Sequence, residues 1–294
     1  MWPSFETLRA PPFAPQNEVW VMNSGAHGTR VLAVPALGYM ALAFAAPLAW
    51  ICASSFWVDG QASLANYERY LGDEFYRGVI GKSVLIAVVT TTVTFLIGYP
   101  AAVAMARCRP LLQTLYLAIV FIPLTVGVIF KTFGWTIVFR RNGIVNNTLI
   151  ALGITDAPVQ LLFNQFSLIF GMSNVFLPYM ILPIYAVVRQ IDPRLTESAA
   201  ALGASPTFTF FRVFLPMSLP GIVGGAALVF SLSLAAYVTP LLLVGDRITT
   251  MSMVIARGFL YVGNPPLGAT MAVIMLAITS LVLLGCGLLA RSRT

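Results

Sequence analysis

Charge is what this sequence has least of. Only 9% of its 294 residues are Asp, Glu, Lys or Arg, against roughly a quarter in an ordinary soluble domain. Histidine occurs once, as His27, which removes the usual general base and the commonest metal ligand from almost every mechanism. The three cysteines, Cys52, Cys108 and Cys286, fall in or beside apolar stretches without metal-ligand spacing; they read as buried or lipid-facing thiols. No Asp or Glu falls within an apolar core, so the buried carboxylate relay that proton-coupled carriers commonly use is missing. No G-x-x-x-x-G-K-[ST] run is present, and the chain does not hydrolyse nucleotide by that route. The net charge of +7 comes from 17 basic side chains scattered among loops, which make no nucleic-acid stripe. Neither a nucleophile–base pair nor a metal cluster stands out to support a membrane enzyme.

What is present is apolar. Hydrophobic residues make up 59% of the chain and the mean hydropathy is +0.87. The expected class is an all-α, polytopic membrane protein with six spans of the roughly 20 residues a bilayer demands. They are placed at 31–56, 79–106, 111–139, 164–188, 221–243 and 267–290. Residues 1–30 read as a tail with no apolar run. No basic segment leads directly into a cleavable stretch at the start, so the first apolar run is expected to be a retained anchor. Residues 57–78 form a polar loop, 140–163 a link containing Asn142 and Asn146 that shape it, and 244–266 a loop that is moderately apolar over Met251–Phe259. Trp20, Trp50, Trp57 and Trp135 sit near span edges, as an aromatic belt requires. An even number of spans puts both termini on one side. The shortest loop carries Arg107 and Arg109 and no acid, which places that side, and the termini, inside.

One polar segment between two spans is regular enough to be structured: Asp192 to Pro216. Asp192 is a good helix N-cap and Pro193 suits the first helical position, where its missing N–H leaves nothing unpaired. Gly203 supplies a left-handed end point. Ser205-Pro206 repeats the cap-plus-proline signature, so a second short helix is expected to stop near Leu215, before Pro216. Glu197 is expected in the first turn, where a negative charge suits the helix dipole. Ser198 to Ala201 are small enough to let another surface approach. An ordinary amphipathic connector and a docking element for a soluble partner both fit these features.

Glu197-Ser-Ala-Ala-Ala-Leu-Gly203, nine residues, then Val213-Phe-Leu215-Pro216 closely resembles the cytoplasmic signature of ABC importer permeases. That signature runs Glu-Ala-Ala, three residues, Gly, nine residues, Ile, one residue, Leu-Pro. Glu197, Ala199, Gly203, Leu215 and Pro216 match it, while Ser198 and Val213 are conservative departures. The resemblance covers roughly residues 79–290 and is greatest to the spermidine/putrescine branch, through Trp135 to Gly143 with Asn146, Gly171 to Pro183, and Tyr237 to Leu243. In detail it is to the first permease subunit of such systems.

The resemblance implies the type I importer permease fold, with residues 79–290 as the transport body and 31–78 an added first span and periplasmic loop. Residues 1–30 and 291–294 become cytoplasmic tails. It also implies a bacterial inner-membrane location, a second homologous permease, an ABC ATPase dimer that uses ATP-Mg, and a periplasmic or extracellular solute-binding protein, with no cofactor on this chain. Glu197, Ala199, Ala200, Gly203, Arg212, Leu215 and Pro216 become coupling residues toward the ATPase. Arg212 pairs with the ATPase or anchors the loop to lipid headgroups. Pro178, Tyr179, Tyr237, Thr239 and Pro240 become candidates for a translocation path or gate, since broken helices expose polar backbone where a cavity can use it; the bland alternative is packing kinks. The expected solute is spermidine, putrescine or a related amine. Alternatives are 2-aminoethylphosphonate, an opine or another small organic solute, and, in a different class, an ion-coupled secondary carrier or a membrane scaffold.

Overall fold

A computed structural model describes residues 26–58 and 61–291 of the chain. Most of the expected N-terminal tail, Trp20 included, and residues 292–294 lie outside the described residues. The chain separates into two compact units, Met1–Trp50 and Ile51–Thr294. The described part of the first is the body of helix α1, Ala26–Ser55. Its side chains Leu37, Tyr39, Met40, Leu42 and Phe44 are all exposed. A helix apolar on its exposed surface belongs against lipid.

The second unit begins with the last turn of α1. A short hairpin follows, with Trp57–Val58 (β1) antiparallel to Gln61–Ala62 (β2), and then helix α2, Ala65–Gly72. Asn66 donates its side-chain amide to Ser55 O, tying α2 to the end of α1. Helix α3 runs Glu74–Arg107 from an Asp73 cap that accepts the Phe75 N–H at 2.8 Å. Beyond it come α4 (Pro110–Thr125), α5 (Val128–Val138), α6 (Ile144–Ala151) and α7 (Gln165–Val188). Polar helix α8 covers Pro193–Ala201. The chain then re-enters apolar structure through α9 (Pro206–Thr209), a π-helical turn over Phe210–Phe214, and α10 (Leu215–Ala235). Helices α11 (Val238–Leu243), α12 (Met251–Leu260) and α13 (Pro265–Arg291) complete it.

Among the described residues five helices are long and apolar enough to cross a membrane, and α4 with α5 makes six if that bent pair counts as one span. The protein is all-α apart from one small hairpin, and polytopic. The third span, expected over 111–139, is not one straight helix. It breaks at Val126-Gly127 and the two halves diverge by 92°. The fifth also differs. It does not begin at Gly221 but runs as one 30-residue stretch, Pro206–Ala235, and it ends at Ala236 rather than at Leu243. Part of the 244–266 loop is helix α12.

The core lies where α3, α7 and α10 meet, around Leu168, Met172, Met180, Ile184 and Val229, each at most 1% exposed. A second cluster joins α2, α3 and α10 to α12 and α13 around Tyr70, Phe230, Leu234, Met251 and Met271. Lipid gives helices no hydrophobic reason to associate, so membrane interfaces use small residues that let backbones approach. Glycines serve that purpose here. A Cβ on Gly98 would stand 3.1 Å from Met180 Cγ, and one on Gly225 would stand 3.0 Å from Met180 Sδ. At Gly221 a Cβ would meet backbone, with Ile184 Cα and Pro183 O both 2.9 Å away. Those neighbours cannot swing aside. Gly221→Ala is therefore expected to push α10 off α7 and lower the thermal unfolding midpoint in detergent by several degrees, in line with about 1–3 kcal/mol of overpacking. Gly224→Ala, with nothing within 4 Å of its Cβ, should leave the midpoint unchanged.

Candidate functional site

The segment between α7 and α10 is closed by local backbone chemistry at every joint. Asp192 Oδ1 accepts the Arg194 N–H at 2.9 Å, with Pro193 in the first helical position. Helix α8 ends in a Schellman motif: the Gly203 N–H donates to Ala200 O at 2.9 Å and the Ala204 N–H to Ala199 O at 3.0 Å. Gly203 has φ of +84°, in the left-handed region where a side chain is strained. Two residues later Ser205 Oγ accepts the Phe208 N–H and Pro206 opens the next helix. The expected helix, sharp turn, helix is present.

Two features of the segment depart from expectation. Because Pro193 is the first helical residue, the first turn holds no acid, and Glu197 begins the second turn, beyond the strongest part of the dipole. The second helix does not stop before Pro216. A proline ring clashes with the carbonyl four residues earlier, here Arg212 O. The π turn Phe210–Phe214 absorbs that clash, with the Leu215 N–H donating five residues back to Phe210 O, and the helix continues through Pro216 into the bundle.

Glu197, Ala200, Leu202, Phe208, Phe211 and Arg212 are among the exposed side chains of this segment; Ala199 is half-buried. Leu202 is 89% exposed at the tip of the elbow, an unusual place for an apolar side chain on a polar helix. Beside it Ala199, Gly203, Ala204 and Phe208 line a shallow hollow of about 550 Å³. The Arg212 guanidinium lies 6.0 Å over the Phe208 ring. Leu215 and Pro216 do not join this surface. Both are half-buried, and Leu215 packs on the main core.

A second irregular region lies at the far end of α10. There the helix breaks at Ala236-Tyr237, and Ser252 donates its hydroxyl to Ala236 O. The buried Thr239 Oγ1 stands 3.4 Å from Thr132 Oγ1 of α5. Pro240 is buried and Tyr237 half-buried. Thus Thr239 joins α11 to α5. Pro178 is buried within α7, whereas Tyr179 is 38% exposed with Phe176 beside it at 6.4 Å between centroids. Thr132 was not among the residues singled out from sequence; a threonine beside Lys131 in an apolar run gave no signal. Asn146 was expected to shape its link, and it does. Its fully buried amide donates to Arg140 O and Val159 O, and its Oδ1 accepts the Val159 N–H at 2.9 Å.

Long apolar helices around a glycine-lined core, with one capped polar elbow between two spans, make a polytopic membrane protein with a structured polar segment. Residues 24–293 match the family described as binding-protein-dependent transport system inner membrane component, and the chain belongs to it. It is a permease subunit of an ABC-type importer, a multi-pass protein of the inner membrane. It is 33% identical over 211 residues, 72% of this chain and 73% of the other, to the spermidine/putrescine transport system permease protein PotB of Haemophilus influenzae. To PotB of Salmonella typhimurium it is 30% identical over 262 residues, 87% of this chain and 91% of the other. A chain of the bacterial alginate ABC transporter, solved in complex with alginate pentasaccharide-bound periplasmic protein, matches the fold. The TM-score is 0.74 at 17% identity, covering 90% of this chain and 94% of that one.

The elbow's stability rests on Gly203. Replacing it with Ala at φ of +84° is expected to destabilise α8 by about 1 kcal/mol or more. Amide hydrogen exchange should then speed up over 193–204 by about fivefold, while exchange in α7 and α10 stays as it was.

Proposed function

We propose that this chain couples ATP hydrolysis on a separate subunit to import of a small amine, with spermidine or putrescine first in line. The observation that carries the reading is the capped elbow between α7 and α10, with Leu202 exposed at its tip. Glu197, Ala199, Ala200, Gly203 and Arg212 form the surface an ATPase dimer would grip, its small residues permitting close approach. Leu215 and Pro216 fasten that surface to the bundle. This sets α8 and both termini in the cytoplasm, with residues 1–30 and 291–294 as tails, 79–290 as the transport body, and 31–78 an added span and outer segment. ATP-Mg acts on the partner. A second homologous permease completes the pathway, and an extracytoplasmic binding protein delivers the solute.

The mechanism is alternating access. Nucleotide-driven closure of the ATPase pair moves the elbow, and α7 and α10 carry the movement to the broken ends at Ala236-Tyr237. Pro178, Tyr179, Tyr237, Thr239 and Pro240 lie on or near the elements that rearrange. The permease performs no covalent chemistry; it converts its partners' differential binding into a shift between two states. The polyamine assignment draws on the PotB relatives, which are named for spermidine/putrescine transport. A 2-aminoethylphosphonate or opine importer shares the same coupling and would differ in the solute that stimulates hydrolysis.

The test is the assembled complex in vesicles. Uptake should require ATP and should not follow an imposed ion gradient alone. Gly203→Asp should insert and assemble normally yet lose solute-stimulated ATPase activity, to below about a tenth of wild type. Uptake by this chain without an ATPase would sink the coupling reading, and normal stimulation of the variant would remove Gly203 from it.

A further inference from the structure

At the opposite end of α7 from α8, the links around Arg140 and Val159 enclose a hollow of about 790 Å³, lined among others by Thr136, Phe139, Arg140, Arg141, Val159 and Phe163. A neighbouring hollow of about 730 Å³ shares Arg140 and Arg141. The wall is built rather than incidental. Asn146, fully buried, clamps Arg140 O to Val159 through three hydrogen bonds. Phe163 has φ of 62°, a region a bulky residue seldom enters, and such strain persists only where the surroundings over-determine it. Here the Phe163 N–H donates to Leu243 O at 3.0 Å and the Arg247 guanidinium stands 5.6 Å over its ring.

Three arginines therefore gather around one cavity: Arg140 and Arg141 on its lining, Arg247 on Phe163. All three are exposed. Among the described residues the one ion pair joins Arg257 to Asp246; none of the three arginines has a carboxylate partner there, and Asp156 of the same link pairs with none of them. Paired guanidiniums present planar donor forks that match carboxylates. Bare, they would repel a polycation at the entrance.

We infer that this arginine-lined hollow receives carboxylate side chains of the solute-binding protein. The inference rests on the coupling reading, which puts this end of α7 outside, about 36 Å along the helix from α8. A seated carboxylate would satisfy the forks and remove the repulsion that an amine solute meets there. Charge complementarity of this kind sets encounter and register between partners.

The experiment uses the whole transporter in nanodiscs, titrated with its cognate binding protein loaded with solute, and reads stimulated ATPase at low and high salt. The double variant Arg140→Glu/Arg141→Glu should raise the half-saturating binding-protein concentration by about tenfold or more. Its maximal rate should hold, and its salt dependence should flatten. Arg140→Gln/Arg141→Gln, which avoids like-charge crowding, should shift in the same direction by less. Unchanged half-saturation in both variants overturns the docking site. So does an effect confined to solute concentration at saturating binding protein, since the arginines would then be holding solute. A wild-type complex that no binding protein stimulates overturns the importer reading, and the docking site with it.

Discussion

Hydrocarbon offers a backbone no hydrogen bonds, so every break in a membrane helix must be repaired by the protein itself. That constraint decides where this chain can be irregular. At the end of α10 the freed Ala236 carbonyl is taken by the Ser252 hydroxyl, which also lies 2.9 Å from Thr250 Oγ1. The first N–H of α12, on Met251, is taken by Ser83 Oγ of α3 at 2.9 Å. At Pro216 the repair is a change of hydrogen-bond register, one π turn wide. Ser83 and Ser252 sit where an otherwise helical backbone lets go.

The same constraint divides the second unit into a stiff middle and variable ends. In the middle, Gly98, Gly221 and Gly225 bring α3 and α10 onto Met180 to Ile184 of α7 with little room for a methyl group, and none at Gly221. Interfaces packed that closely do not deform continuously; they either hold or shift as bodies. Around this seam lie the polar elbow at one end of α7 and the Asn146-braced links at the other. Neither end could be built without the seam, because both are anchored on α7.

Much of the elbow could be read from sequence because its determinants are local. Asp192-Pro193, Gly203 and Ser205-Pro206 each act within a few residues, and each does in the structure what its chemistry dictates. Pro216 could not be read in the same way. Proline reports only that an ordinary helix is disfavoured, and whether the chain stops or takes a π turn is not decided by its immediate neighbours in sequence. The 92° break of the third span was hidden for a related reason. Val126-Gly127 lies in an unbroken apolar run, and hydropathy does not distinguish a straight span from a bent one. The arginine hollow depends on Phe163 and Arg247 meeting from separate links, a contact that no local pattern encodes.

On the proposed coupling, the π turn makes the elbow a lever rather than a hinge. Had Pro216 ended the second helix, movement of Gly203 would dissipate in a loose connection. Instead the chain from Pro206 to Ala235 is continuous helix, and its entry is gripped from the side. The Phe210 and Phe214 rings stack at 6.0 Å, Arg107 of α3 lies 5.0 Å over Phe214, and Tyr99 OH meets Ser218 Oγ at 3.2 Å. These contacts bind the base of α10 to α3, the helix that shares the glycine seam with it. Force applied at Leu202 would then reach two membrane helices together, and the first interruption along α10 is the Ala236-Tyr237 break, where the Ser252 hydroxyl takes the Ala236 carbonyl.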